Sequence, residues 1–197
     1  LLYFMMCFFY SMGISTWMMY PITNPIFLAG IEANAKLVAE GLDPTFIATN
    51  EVVYSGWLCI GGVGATLLLV IMMVRARSKR LRAIGRASLV PGILNINEPV
   101  VFGAIAWNPV LMIPMWIHGL VTPIIVWLAL HAGVASIPAQ IFGFWYCPYP
   151  VTAWLVSSGG GALILLAVLV VINILIYYPF FKVYDNMQAK EEAAEEA

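Results

Sequence analysis

Charge is what this sequence lacks. No Asp, Glu, Lys or Arg occurs in residues 1–31, 52–74 or 99–181, and charged residues make up 10% of the chain against 62% hydrophobic. Soluble domains carry about 25% charged residues, and none could hydrate a run as long as 99–181. Each uncharged stretch exceeds the roughly 20 residues that cross a bilayer core, so the chain reads as an integral membrane protein. Lipid leaves backbone polar groups to be satisfied internally, which makes helices the default spanning element. The alternation of a membrane-barrel strand is absent. The predicted fold is therefore an all-α membrane protein. It has about four transmembrane helices, re-entrant hairpins, an interfacial helix and a broken Asn-Glu-Pro loop.

Other scarcities narrow the chemistry. The three cysteines, Cys7, Cys59 and Cys147, lie far apart in apolar surroundings without metal-ligand spacing, and read as packed free thiols. There is no Walker motif, nucleophile elbow or zinc pattern, so no cofactor and no metal is expected. Gly61-Gly62-x-Gly64 lacks the strand and spacing of a phosphate-binding turn and reads as close helix packing. His118 and His131 are the only histidines. Both read as neutral side chains bonded to carbonyls, with a proton carrier as the rival for His118. The first residue is Leu rather than Met, and no charged signal region precedes the apolar sequence. The chain is expected to be a piece of a longer protein, divided ahead of residue 1.

What is present is arranged in blocks. An apolar segment runs from residue 1 to Pro21 and Pro25. A sparsely charged stretch follows, expected as an interfacial helix ended by Gly41 and Pro44. A second span is predicted over about 55–74, a third over 109–131 and a fourth over 160–181. The segment between the last two is too rich in Pro and Gly for a straight helix, and reads as a loop or re-entrant hairpin. The run RARSKRLRAIGR (75–86) holds six of the nine basic residues. Directly after an apolar span, it marks a cytoplasmic loop against anionic lipid rather than a nucleic-acid site. Residues 186–197 read as a charged cytoplasmic tail, distinct from a transport unit over 1–185.

Glu98 in Asn95-Ile-Asn97-Glu98-Pro99 is the outlier. A carboxylate in membrane sequence costs about 2.5–3.5 kcal/mol on the insertion scale, so it needs a polar or water-lined setting. Pro99 donates no N–H and disfavours helix at the residue before it. Asn95 and Asn97 add amide groups beside the carboxylate. The element reads as a kinked polar site able to bond hydroxyls, and equally as a cap for the next helix; both can hold together. Asn50 and Glu51 precede the glycine-rich segment, as a plain loop or as a hairpin tip. Trp145 sits in FGFWYCPYP, either in an interfacial aromatic belt or stacked on a sugar ring.

The order of GGVGATL, PGILNINEPVVFGAI, WNPVLMIP, WYCPYP and LIYYPFFKVYD resembles a known family. It is the membrane-embedded IIC component of the phosphoenolpyruvate-dependent sugar phosphotransferase system, lactose/cellobiose type, and the match is to its C-terminal half. The resemblance implies a bacterial inner-membrane permease that binds a β-linked disaccharide. It also implies a homodimer in which this half moves against an N-terminal half, and a IIB partner, phosphorylated on Cys, that phosphorylates the sugar. It gives Glu98 the sugar hydroxyl that receives phosphate, puts Asn97 beside it, and assigns Trp145 to sugar stacking. The family's Gly-Ile-His-Gly is Gly13-Ile14-Ser15-Thr16 here, leaving Ser15, Thr16 and Glu51 to replace its histidine. Its Trp-Thr-Thr-Pro is Trp145-Tyr146-Cys147-Pro148. The rival reading is a proton-coupled sugar transporter that leaves its substrate unmodified.

Overall fold

The computed structural model describes residues 1–157 and 159–196. Regular structure among them is helical throughout: α1 (Leu2–Ser11), α2 (Tyr20–Ala39), α3 (Leu67–Val74), α4 (Lys79–Ile93), α5 (Glu98–Val100), α6 (Pro109–His131), α7 (Val151–Ser157) and α8 (Gly160–Glu195). A short 3₁₀ turn covers Thr16–Met18, and π-helical turns cover Glu51–Gly56 and Val101–Ile105.

Two helices, α6 and α8, are long and apolar enough to cross a membrane. At 1.5 Å per residue α6 is about 35 Å long, matching a hydrocarbon core of about 30 Å. The other two predicted spans differ from expectation. The first apolar segment stops being helical at Ser11, where Gly13, at φ +80°, reverses the chain. The second is helical only over Leu67–Val74. Left-handed backbone at Gly61, Gly62, Gly64 and Ala65 breaks the segment before it.

Helix α6 packs against α1 and α8, and α8 also packs against α3, α4 and α7. Trp116 of α6 stacks at 5.3 Å on Phe8 of α1, and its indole N–H donates to Ser11 Oγ at 2.8 Å. The buried residues of α8, from Ala162 through Leu169, Asn173, Tyr177 and Phe181 to Asp185, recur every three or four positions. They form one stripe along the helix. His118 is fully buried, with Nε2 3.1 Å from Leu58 O and Nδ1 2.6 Å from Asn173 Oδ1. This is the carbonyl-bonded core histidine expected from the sequence. Cys7 and Cys59 are buried free thiols, and Cys147 is half-buried.

The helix expected in the sparsely charged stretch is present as α2. Thr23, Phe27, Gly30, Ile31 and Asn34 are its buried positions. Beyond its end, Gly41 (φ +78°) and the Leu42 N–H to Leu37 O bond close the helix as predicted. The stretch 132–150 is irregular and leads into α7, in keeping with a broken segment.

The basic run is largely helix rather than loop. Ser78 caps α4, its hydroxyl accepting from Leu81 N at 3.1 Å, and Lys79–Ile93 continue as an amphipathic helix. α4 packs closely on α3 because Gly85 has no side chain: a Cβ there would lie 2.6 Å from Val74 N.

The acidic stretch is helical as well. Helix α8 runs unbroken through the 185/186 boundary to Glu195. Its side chains clamp the start of α4. Asp185 accepts from the N–H groups of Arg77 (2.9 and 3.0 Å) and Ser78 (3.0 Å). Glu192 accepts from the Ser78 hydroxyl (2.6 Å) and from the N–H groups of Lys79 (2.8 Å) and Arg80 (2.9 Å). These carboxylates fill the orphan donors of a helix N-terminus from another helix. The Ser78 hydroxyl, followed by the Arg80 and Lys79 amides, holds the Glu192 carboxyl below its ordinary range.

Candidate functional site

Three broken segments converge between the helices, and hydrogen bonds from two asparagines hold them together. Asn95 follows the end of α4 with φ +63°, a left-handed residue that turns the chain; Asn tolerates this conformation better than most residues. Its Oδ1 accepts from Gly61 N at 3.0 Å, while Nδ2 donates to Trp145 O (2.7 Å) and Cys147 O (2.9 Å). Asn97 donates through Nδ2 to Val63 O (2.8 Å) and Thr66 Oγ1 (3.0 Å), and its Oδ1 accepts from the Tyr10 hydroxyl (3.1 Å). Both side chains are buried.

The glycine-rich segment is the seat for Asn97. A Cβ on Gly62 would lie 2.3 Å from Asn97 Cγ, so only glycine lets the amide reach the backbone. The expectation that these glycines serve helix–helix packing is replaced by this one: they make a loop that receives two asparagines. Tyr3 braces the same loop from α1, its hydroxyl donating to Leu58 O (2.6 Å) and accepting from Gly64 N (3.0 Å).

Bound in this way, the segments enclose a cavity of about 370 Å³, within the range of roughly 300–1,000 Å³ usual for small-molecule sites. All six residues singled out in the sequence line it: Asn50, Glu51, Asn95, Asn97, Glu98 and Trp145. Their roles differ. Asn95 and Asn97 spend both amide N–H donors and bond their carbonyls on the protein, so they build the site more than they offer it to a ligand. Glu98 stands at the first position of α5, exposed, and its carboxylate makes no hydrogen bond among the described residues. It does not reach back to cap the helix. Trp145 is 39% exposed, lines the cavity and stands edge-on to Tyr146 at 5.8 Å.

Glu51 is 2% exposed. Its Oε1 accepts from Phe142 N at 3.1 Å, and its Oε2 has no partner among the described residues. Of the candidates to replace the missing histidine, Thr16 and Glu51 reach the cavity. Ser15 instead accepts from Trp17 N at 3.4 Å and caps the 3₁₀ turn.

Sequence reasoning missed Trp17 and Tyr20. They line the cavity with their rings 5.5 Å apart, and Trp17 is 61% exposed. The available signal was their place just after Gly13-Ile14-Ser15-Thr16, a segment already singled out for departing from pattern. No Lys, Arg or His lines the cavity among the described residues, and no cluster of metal-binding side chains occurs among them.

Known proteins resemble this chain in sequence and fold. The family described as "Phosphotransferase system, EIIC" matches residues 1–119, more than half of the chain. This chain belongs to that family. Among curated relatives, the Lichenan permease IIC component of Bacillus subtilis (strain 168) is 36% identical over 175 residues, covering 87% of this chain and 38% of that protein. The PTS system cellobiose-specific EIIC component of Geobacillus stearothermophilus is 35% identical over 181 residues, covering 88% and 40%. The crystal structure of the transporter ChbC, the IIC component from an N,N'-diacetylchitobiose-specific phosphotransferase system, superposes with a TM-score of 0.90 at 32% identity. That match covers 98% of this chain and 45% of ChbC. The chain thus spans about two-fifths of the length of the curated relatives it matches.

Proposed function

We propose that this chain is the substrate-binding part of a phosphotransferase sugar permease, taking a β-linked disaccharide of the cellobiose/lactose class and presenting it to a phosphorylated IIB partner. One observation carries the reading: the exposed carboxylate of Glu98, unbonded among the described residues, shares a cavity with the partly exposed Trp145. A carboxylate accepts strongly from hydroxyls, and an indole face suits the apolar C–H face of a sugar. Trp17 and Tyr20 supply a second aromatic surface on the same cavity.

In this reading Glu98 accepts a hydrogen bond from the substrate hydroxyl that receives phosphate. As that oxygen bonds phosphorus and the sulfur–phosphorus bond of the partner's phosphocysteine breaks, the hydroxyl proton passes to the Glu98 carboxylate. General-base help of this kind requires hydrogen-bond reach, which an unbonded carboxylate at the cavity leaves available. A cavity lined by carboxylates and, among the described residues, by no cation admits a neutral sugar and repels the anionic product.

The basic start of α4 and the end of α8 lie on the cytoplasmic side of a bacterial inner membrane, by the positive-inside rule. An N-terminal half of the permease supplies the body against which this unit moves, within a homodimer. Sugar uptake in cells with and without the upstream phosphotransferase proteins tests the reading. Uptake is expected to stop without them. Uptake that persists, yet collapses with the proton gradient, would assign the protein instead to proton-coupled transport.

A further inference from the structure

Exposed Glu98, half-buried Asn50 and buried Glu51 all line the cavity. Asn50 donates through Nδ2 to Asn24 Oδ1 at 3.2 Å, and its own Oδ1 has no donor among the described residues. Glu51 uses one oxygen on Phe142 N and leaves the other without a donor. Two adjacent residues thus each hold a buried acceptor in reserve. Such atoms are rare in folded proteins and costly when left unmet. No Lys, Arg or His lines the cavity among the described residues, while Asn50 and Glu51 both do, so an occupant that reaches this wall is the donor the site is built to receive.

We infer that Asn50 and Glu51 form a second polar subsite, which selects the substrate by a hydrogen-bond-donating group distinct from the hydroxyl held at Glu98. The group is a hydroxyl or an amide N–H of the sugar; a carboxylate or phosphate at that position is refused, because both protein atoms are acceptors. This inference rests on the sugar-permease reading and specifies what the site demands of its sugar. It also links recognition to the aromatic wall. Phe142, bonded to Glu51 Oε1, stands three residues before Trp145, so a donor on Oε2 engages the same carboxylate that positions the segment carrying the tryptophan.

The test is calorimetric titration of the purified protein in lipid nanodiscs with cellobiose, its monodeoxy analogues and N,N'-diacetylchitobiose. Glu51→Gln keeps an acceptor for Phe142 N–H but puts an amide NH2 donor where the spare oxygen was. It is expected to weaken cellobiose binding roughly 10- to 100-fold, the range for a hydrogen bond to a charged group. It should also make affinity indifferent to deoxygenation at one sugar position. Glu98→Gln should create indifference at a different position. Asn50→Ala, which leaves the carboxylate and its bond to Phe142 in place, should weaken binding less and decides the matter if Glu51→Gln does not fold. A larger loss for diacetylchitobiose than for cellobiose in these variants identifies the donor as the amide; an equal or smaller loss identifies a hydroxyl. The inference is overturned if both variants bind every analogue as the wild type does, or if Glu51→Gln and Glu98→Gln become indifferent at the same position. If the wild type binds no neutral disaccharide, the sugar-permease reading itself fails.

Discussion

Carboxylates meet the rest of the protein at two places, and the two are built on opposite terms. At the junction of α4 and α8, Asp185 and Glu192 are saturated. Between them they accept from the backbone N–H groups of Arg77, Ser78, Lys79 and Arg80 and from the Ser78 hydroxyl. At the cavity, Glu98 makes no side-chain hydrogen bond among the described residues, and Glu51 leaves an oxygen unmet. Saturated carboxylates hold helices together; those left in reserve are where a ligand can contribute free energy. The contrast extends to backbone. The junction joins two regular helices, whereas the cavity is walled by segments with left-handed residues at Gly61, Gly62 and Asn95. Broken backbone at membrane depth is tolerated where it is buried in protein or lines a cavity, and transporters use such breaks for their substrate sites.

The contrast is sharpest at Glu98. Replacing it with Gln should lower sugar phosphorylation at least about 100-fold, as expected for loss of a general base, and leave the thermal midpoint of the purified protein unchanged. A large drop in that midpoint would mean that Glu98 is structural, like Asp185. Asn97→Ala stands next. It removes the bonds to Val63, Thr66 and Tyr10 and leaves buried partners unmet, at about 1–3 kcal/mol for each such group. Both stability and sugar affinity should fall together; unchanged stability would show that Asn97 serves the ligand and not the loops. Trp145→Ala should weaken disaccharide binding roughly tenfold, in line with an aromatic contact of about 0.5–1.5 kcal/mol beyond its area. Equal affinity would return Trp145 to the interfacial belt.

The smallest effect belongs to the junction. Because the Glu192 carboxyl is held below its ordinary range by its donors, its contribution is present at neutral pH. It is lost as pH falls from the ordinary carboxylate range through the lowered value. Amide exchange at Lys79 and Arg80, corrected for intrinsic rates, should therefore quicken across that acidic window in the wild type. It should be fast and insensitive to that window in Glu192→Ala. The nearby Lys79–Glu196 pair, at 2.6 Å and largely exposed, is a surface ion pair of the kind that contributes little, and its removal should leave exchange unchanged.

How much of this was legible beforehand follows from which interactions are local. The long apolar helices α6 and α8, the closing glycine of α2 and the irregular stretch before α7 all follow from hydropathy and chain-breaking residues. Glu98 was legible because a carboxylate stands out in apolar sequence. The short form of α1 and α3 was not, because apolar composition alone does not distinguish a helix from a loop buried inside protein. Folding of the basic run into α4, and continuation of α8 through its acidic end, depend on each other: the backbone donors of one are met by the carboxylates of the other, 107–113 residues away in sequence. Trp17 and Tyr20 carried no signal of their own, since exposed aromatics are ordinary at a membrane boundary.

The sequence by itself determined that this is a helical membrane protein with a polar element at 95–99, because the cost of charge and unpaired backbone in lipid leaves few alternatives. Only the tertiary structure decided that Asn95 and Asn97 spend their amides on the glycine loop and the tryptophan segment, while Glu98 and Glu51 keep oxygens free among the described residues. That division rests on distances between residues remote in the chain, and residue type alone does not tell a carboxylate already satisfied from one still waiting for a donor.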